Sequence, residues 1–107
     1  MDSPPTQIVR VAERLDSANV EEFKQQAQAG LASAAGLVVD FSATRFIDSV
    51  GLGALVSLLK SCSQRRVPIA LAALSPQVRQ IFELTRLYRL FDIYDTPEQA
   101  CSGLVPT

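Results

Sequence analysis

The most informative stretch of this sequence is Phe46-Ile47-Asp48-Ser49-Val50-Gly51-Leu52-Gly53-Ala54-Leu55. Its apolar beginning and the spacing of the apolar residues after Ser49 predict a buried strand that leads into a helix. Ser49 would lie at the joint, among the free backbone N–H groups of the first helical turn, where the helix dipole favours negative charge. A phosphate on its hydroxyl could be accommodated there. The plainer interpretation is that Asp48 or Ser49 is an N-cap, whose oxygen accepts a hydrogen bond from a helical N–H.

The two glycines of this stretch allow a further interpretation, a dinucleotide-binding turn. That fingerprint needs a third glycine three residues after Gly53, and Val56 stands there. Glycine near a helix start costs roughly 0.5–1 kcal/mol relative to alanine, so two of them indicate a steric need or a local distortion. We therefore predict that Gly51 and Gly53 allow close backbone approach.

Toward the N-terminus, the pattern predicts strand, helix and strand. Residues 7–13 alternate, with Ile8, Arg10 and Ala12 on one face and Val9 and Val11 on the other, and residues 37–41 are typical of a central strand. Between them we expect a helix that starts with a capping box at Asn19 and Glu22 and that Gly36 terminates. Its buried residues would be Val20, Phe23, Ala27 and Leu31.

Toward the C-terminus, the alternation of helices and strands continues. A helix from the central stretch to Arg65-Arg66 would bury a face made of Leu52, Leu55, Val56 and Leu59. Residues 67–74 predict a third strand, and Ser75-Pro76 caps a helix that reaches about Thr85 and buries Val78, Ile81 and Phe82. Residues 91–94 predict a short strand, and Thr96 starts a last helix.

This alternation predicts an α/β fold built from parallel βαβ units. We expect one domain over residues 1–107, with a polar arm at 1–6 and a frayed tail at 104–107. Its sheet would be mostly parallel, with four or five strands and about four helices packed against it. Such folds often place their sites at the carboxyl ends of strands, where Ser49 would lie.

Composition favours one self-sufficient domain and gives no sign of a nucleic-acid or membrane partner. The chain has 107 residues, 48% of them hydrophobic, and its formal net charge of -1 offers no basic field. The longest nearly apolar run, residues 50–59, falls short of the roughly 18 residues that suggest a membrane span. No secretory signal is visible at the beginning of the chain, so we expect a cytoplasmic protein.

The residue types needed for most metal and catalytic chemistry are missing. Histidine is absent, and Cys62 and Cys101 lie far apart without a metal-binding spacing. We therefore expect no metal site, no cofactor and no structural disulfide. Without histidine the commonest general base is also gone, and spacing pairs none of the scattered carboxylates. Catalysis by this chain is not expected.

Residues 37–55 resemble the STAS domain, the fold shared by anti-sigma-factor antagonists and the cytoplasmic tails of sulfate transporters. The resemblance is most specific in the stretch 46–55. It continues at Ser75-Pro76-Gln77-Val78-Arg79 and from Phe82 to Phe91, which resembles the third-helix segment of the family. Arg14-Leu15-Asp16 resembles the family's first strand-to-helix turn, so the likeness covers most of the chain.

This resemblance implies a binding switch. In the family, the Asp is followed by the Ser or Thr that a partner kinase phosphorylates, which makes Ser49 the expected phosphoacceptor. The unphosphorylated protein would bind an anti-sigma factor that is also a serine kinase and so release a sigma factor. The kinase would bring ATP and magnesium, and a serine phosphatase would reset Ser49. The expected partner-binding residues are Asp16, Phe46, Asp48, Ser49, Val50, Gly51 and Leu52.

Two other classes of function stay open. STAS-like single domains also serve as accessory subunits of membrane transporters or lipid-transport ATPases and as signalling scaffold components. An enzyme or nucleotide-binding protein is the third class. The sequence departs from the family at Glu13, where glycine is usual, at Val50, where a second hydroxyl is frequent, and at Arg86, where glycine often stands. Its N-terminal part has room for one strand where many relatives have two.

Overall fold

The computed structural model describes residues 6–104. Its strands are β1 Thr6–Arg10, β2 Arg14–Leu15, β3 Gly36–Asp40, β4 Phe46–Ile47, β5 Ile69–Ala72 and β6 Asp92–Tyr94. Its helices are α1 Val20–Leu31, α2 Ser49–Arg65, α3 Pro76–Thr85 and α4 Pro97–Gly103, with a short 3₁₀ helix at Leu87–Arg89. Apart from Thr6, which begins β1, and Leu104, which follows α4, the expected arm and tail lie outside the described residues.

Four parallel strands form the main sheet, in the order β1-β3-β5-β6. All five residues of β3 are buried, as predicted for a central strand covered on both faces. β2 and β4 form a separate two-stranded parallel sheet. The predicted α/β class with a parallel sheet and four helices is confirmed.

The main core fills one face of the sheet, under α1, α2 and α3. Phe41, Phe82 and Phe91 meet there edge to face, with ring centroids 6.3 and 6.2 Å apart. The other face is covered by α4, which packs Ala100 against Val38. Successive side chains of β3 point alternately into these two cores, so the strand is packed on both faces.

β1 forms an edge of the sheet and shows the predicted alternation. Val9 and Val11 are buried, and Ile8, Arg10 and Ala12 are exposed. The strand ends at Arg10, earlier than predicted, because the carbonyl groups of Val11 and Ala12 turn toward the Thr44 hydroxyl.

The buried face of α1 and its start after Asn19 are as predicted, whereas the helix ends at Leu31, earlier than predicted, and lacks the predicted capping box. Val20, Phe23, Ala27 and Leu31 are buried. Asn19 gives α1 no side-chain cap, because its side chain bonds the backbone of β2 and Asp16. Gly36 does not end the helix. It begins β3, where an added Cβ would lie 3.0 Å from Leu104 Cδ1.

α2 is rotated relative to the predicted face. Leu55 is buried as expected, but Leu52, Val56 and Leu59 are only partly buried. Because α2 packs against α1 as well as the sheet, the buried face turns toward α1 and comprises Gly51, Ala54, Leu55, Leu58 and Cys62.

The last two helices begin as predicted. The Ser75 hydroxyl accepts a hydrogen bond from the Val78 N–H at 3.3 Å, and the Thr96 hydroxyl accepts one from the Gln99 N–H at 3.1 Å. In α3, Val78 and Phe82 are buried and Ile81 is partly buried. No helix within residues 6–104 has the length and apolar character needed to cross a membrane.

Candidate functional site

The site is built on the small β2-β4 sheet. Arg14 pairs with Phe46 and Leu15 with Ile47, and the Asp48 N–H donates to the Leu15 carbonyl at 3.3 Å. The strand that enters α2 is therefore the two-residue β4, and not the long central strand. This pairing brings the turn before α1 beside the turn before α2.

Thr44 fixes the segment that precedes β4. Its side chain is 1% exposed, and its hydroxyl bonds the Ala12 carbonyl at 2.8 Å and contacts the Val11 carbonyl at 3.3 Å. The Glu13 carbonyl accepts from the Arg45 and Phe46 N–H groups at 2.8 and 3.3 Å. Because Thr44 is buried, its two carbonyl contacts give its hydroxyl the partners that a buried polar group needs.

Asp48 is the N-cap of α2. Its Oδ1 accepts a hydrogen bond from the Gly51 N–H at 3.0 Å, and its extended backbone is typical of this position. Of the two residues that the sequence offered as a cap, the structure uses Asp48. Ser49 is the first helical residue and is exposed. Its hydroxyl therefore stands at the positive end of a 17-residue helix.

Gly51 allows α2 to lie directly on β2. A Cβ added there would lie 2.5 Å from the Leu15 carbonyl oxygen and 2.9 Å from Ile47 Cγ1, whereas one added at Gly53 would meet nothing within 4 Å. The predicted close approach is thus confirmed inside the chain at Gly51. For Gly53, the prediction of such a contact within this chain is wrong, because that residue faces outward.

Two exposed apolar residues lie within three positions of Ser49 in the sequence. Val50 is 44% exposed and Phe46 is 40% exposed, although each lies beside a buried residue. Leu52 is partly buried and packs against the main core, and Gly51 is buried. The accessible part of the predicted surface therefore consists of Phe46, Ser49 and Val50.

Asp16 holds the neighbouring turn. Its Oδ1 accepts from the Ala18 N–H, and its Oδ2 accepts from Arg14 Nε, both at 3.0 Å. The bond from Arg14, followed by that from Ala18, lowers the pKa of the Asp16 carboxyl below its ordinary value. Both carboxylate oxygens are thus already engaged within the chain, and the group stays ionised at neutral pH.

Sequence reasoning missed the part played by Arg14 in this site. The guanidinium carbon lies 4.5 Å from the centroid of the Phe46 ring, while Nε bonds Asp16. Alternation along an extended segment places residues two apart on the same side, so the Arg-Leu-Asp spacing was a usable signal for the contact between Arg14 and Asp16. The contact with Phe46 depends on β2-β4 pairing, which two-residue strands do not reveal in sequence.

The site is an open surface without the groups of a metal or redox centre. None of the five main grooves described for residues 6–104 is lined by Ser49, Val50 or Phe46. Within the same residues, no cluster of three carboxylate or thiol groups could hold a metal ion. Both cysteines are free thiols, and burial raises the pKa of Cys62 to about 11.

The fold and this arrangement define a STAS domain. The family model described as STAS domain matches residues 2–100. The chain belongs to this family.

Among its relatives, the anti-sigma F factor antagonist of Paenibacillus polymyxa is 24% identical over 99 residues, which cover 91% of this chain and 85% of the relative.

Solved structures share the fold. The anti-sigma factor antagonist SpoIIAA in its unphosphorylated form has a TM-score of 0.77 at 23% identity, covering 98% of this chain and 95% of that one. The Bacillus cell fate determinant SpoIIAA in its phosphorylated form has a TM-score of 0.71 at 21% identity, covering 95% of this chain and 93% of that one. The murine Solute Carrier 26 family member A9 anion transporter has a TM-score of 0.78 at 22% identity, covering 94% of this chain and 18% of the transporter. At these identities the likeness shows the fold alone.

Proposed function

We propose that this protein is an anti-sigma-factor antagonist that works as a phosphorylation-controlled binding switch in the cytoplasm. Unphosphorylated, it binds an anti-sigma factor that is also a serine kinase, and the sigma factor is released. Phosphorylation of Ser49 ends the binding, and a serine phosphatase restores it. The relative from Paenibacillus polymyxa, matched over 91% of this chain, supports the antagonist role.

One observation carries the proposal: Ser49 is exposed in the first turn of α2 while Asp48 provides the cap. Its hydroxyl is therefore not needed to hold the helix and is accessible to a kinase. A phosphate on it would lie at the helix N-terminus, which stabilises an anion by roughly 0.3–1 kcal/mol. Phosphorylation at Ser49 is thus compatible with an unchanged fold.

The partner-binding surface is proposed to centre on Phe46, Ser49 and Val50. The exposed apolar groups would supply affinity once water is excluded from them. The other predicted residues have a supporting part: Asp16 and Asp48 order the two turns, Gly51 lets α2 approach β2, and Leu52 anchors the first turn to the core.

Phosphorylation would act on the interface through charge. The phosphate adds about -1.5 to -2 charges at pH 7, beside the carboxylate of Asp48. In a docked complex this dianion must lose its water or face a partner surface shaped for a neutral hydroxyl, at a cost of several kcal/mol. Since about 1.4 kcal/mol corresponds to a tenfold change, affinity would fall by orders of magnitude. The chain itself contributes no catalytic group or cofactor, because the kinase supplies ATP and magnesium.

Capture and phosphorylation together test this function. Tagged parent protein is used to capture partners from extract of the native cell, and the captured complex is then incubated with ATP and mapped by phosphopeptide mass spectrometry. We expect a kinase-type anti-sigma factor and a single phosphate on Ser49. Ser49→Ala should stay unmodified, whereas the control Ser57→Ala, which changes an exposed serine of the same helix, should be phosphorylated at Ser49 as in the parent.

The same experiment separates the other functions. Capture of a transporter, a lipid-transport ATPase or scaffold components, without phosphorylation of Ser49, would contradict the switch and support the accessory role. Phosphate found only at another residue would contradict the assignment of Ser49.

A further inference from the structure

The side chain of Arg14 joins two residues of the proposed docking surface. Its guanidinium carbon lies 4.5 Å from the centroid of the Phe46 ring, and its Nε donates to Asp16 Oδ2 at 3.0 Å. The side chain is nevertheless 59% exposed. Arg14 thus stands at the surface with one ring contact and one ionic hydrogen bond.

These contacts fix the guanidinium and leave its outer edge to solvent. A guanidinium carries five N–H donors, and Nε is the one engaged with Asp16. The described residues provide no hydrogen bond to its two terminal amino groups, which together form a planar fork suited to a carboxylate. Because the plane is already held by Phe46 and Asp16, little side-chain entropy remains to be lost on binding.

The fold of the turn does not depend on this side chain. The Arg14 carbonyl accepts from Asn19 Nδ2 at 2.6 Å, and the backbone of Arg14 pairs with Phe46 in β2-β4. Both contacts belong to the backbone and survive truncation of the side chain. The Arg14 side chain is 59% exposed, so water screens its ion pair with Asp16 and the pair contributes little to stability. A role in folding therefore does not account for the arrangement of the guanidinium.

We propose that Arg14 is a specificity-determining residue of the docking surface, whose guanidinium binds a carboxylate of the protein partner while stacked on Phe46. This inference rests on the proposed function, since it assumes that the partner docks over Phe46 and Ser49. The site then combines an apolar centre, Phe46 and Val50, with a fixed cation beside it. Arginine and aromatic residues together are typical of the residues that dominate binding energy in interfaces.

The test uses the purified anti-sigma factor of the native organism as the probe and isothermal titration at three salt concentrations. We expect Arg14→Ala to weaken binding by about tenfold or more. Its affinity should also depend less on salt than that of the parent, because one charge pair is gone. Arg14→Lys should recover part of the affinity, since lysine keeps the charge but lacks the planar fork.

Arg65→Ala is the matched control. Arg65 is an exposed arginine at the opposite end of α2, about 24 Å along the helix from Ser49 at 1.5 Å per residue. Its removal should leave affinity within about twofold. The melting temperature of each variant is measured as well, and Arg14→Ala should melt like the parent.

The outcomes distinguish this inference from the proposed function. Suppose that Phe46→Ala weakens binding, so that the docking surface is the proposed one. The role of Arg14 is then overturned if Arg14→Ala binds within about twofold of the parent, or if its affinity shows the same salt dependence. If the parent does not bind the probe, or if Phe46→Ala and Ser49→Asp both bind as the parent does, the proposed function fails and this inference fails with it.

Discussion

Two glycines in the first turns of α2 offer a matched test of how the site is built. Gly51 and Gly53 lie two residues apart in the same helix, and the same change to alanine should act on them in opposite directions. An added Cβ at Gly51 would lie 2.5 Å from the Leu15 carbonyl oxygen and 2.9 Å from both Leu15 Cγ and Ile47 Cγ1. At Gly53 it would meet nothing within 4 Å.

The expected loss of stability depends on which atoms must move to make room for the added Cβ. The Leu15 carbonyl cannot shift freely, because it accepts the Asp48 N–H and belongs to the β2-β4 pair. Overpacking costs about 1–3 kcal/mol, and an obstacle made of backbone favours the upper end. Alanine recovers roughly 0.5–1 kcal/mol of helix propensity, so Gly51→Ala should destabilise the protein by about 2 kcal/mol. Gly53→Ala should stabilise it by roughly 0.5–1 kcal/mol.

Urea unfolding of the two variants and the parent measures both free-energy differences, and thermal unfolding measures the corresponding shifts in melting temperature. For a domain of this size, about 1 kcal/mol corresponds to about 4 °C, so Gly51→Ala should melt about 8 °C lower. Gly53→Ala should melt about 2–4 °C higher. Equal stability of Gly51→Ala and the parent would refute the close contact between α2 and β2, and a destabilised Gly53→Ala would refute the outward orientation of Gly53.

Three further predictions concern the surface, the Asp16 turn and the end of α3. Val50→Asp should leave the free energy of unfolding within about 0.5 kcal/mol, since Val50 is 44% exposed, yet weaken titrated partner binding by about tenfold or more. Because the folded pKa of Asp16 is lowered, its contribution is present above the unfolded pKa and is lost as pH falls through the folded pKa. Urea titrations from about pH 6 to about pH 2 should therefore show that the free energy of unfolding falls less steeply with pH for Asp16→Asn than for the parent. Arg86→Gly should raise the melting temperature, because Arg86 has φ 61° at the C-cap of α3, a left-handed conformation costing about 1 kcal/mol for a residue with a Cβ.

The buried faces of β1 and α1 could be predicted because their burial is periodic. Val9 and Val11 alternate with exposed residues, and the buried positions of α1 recur at three and four. Ser75 and Thr96 are followed by proline, a local combination that marks a helix start without tertiary information. Each of these signals lies within a few residues of the structure that it specifies.

The elements that were missed depend on contacts distant in sequence. β2 has two residues, too few for a period, and it is a strand because it pairs with β4, the strand that was predicted to lead into α2. Asn19 has the right identity and spacing for a capping box, but bonds to Arg14 and Asp16 compete for its side chain. The orientation of α2 is set by packing against α1, which its own sequence does not contain.

The candidate site could be predicted only where its signals are local in sequence. The Asp48-Ser49 pair is a local signal, and the structure assigns the cap to Asp48. The departures from the family also have local explanations. Glu13 has no positive φ, so this backbone does not demand glycine there, whereas Arg86 stands at a position with φ 61° that favours glycine. The guanidinium of Arg14 over Phe46 could be found only once β2 and β4 were paired.

The most direct test of the switch is the affinity of the purified anti-sigma factor for two forms of this protein, unphosphorylated and carrying phosphoserine at position 49. Isothermal titration gives the two affinities, and circular dichroism compares the two folds. We expect the phosphorylated form to bind at least about 100-fold more weakly, since the charge costs several kcal/mol in the interface, with an unchanged spectrum. Equal affinity of the two forms would contradict the account, and so would a loss of binding that accompanies unfolding.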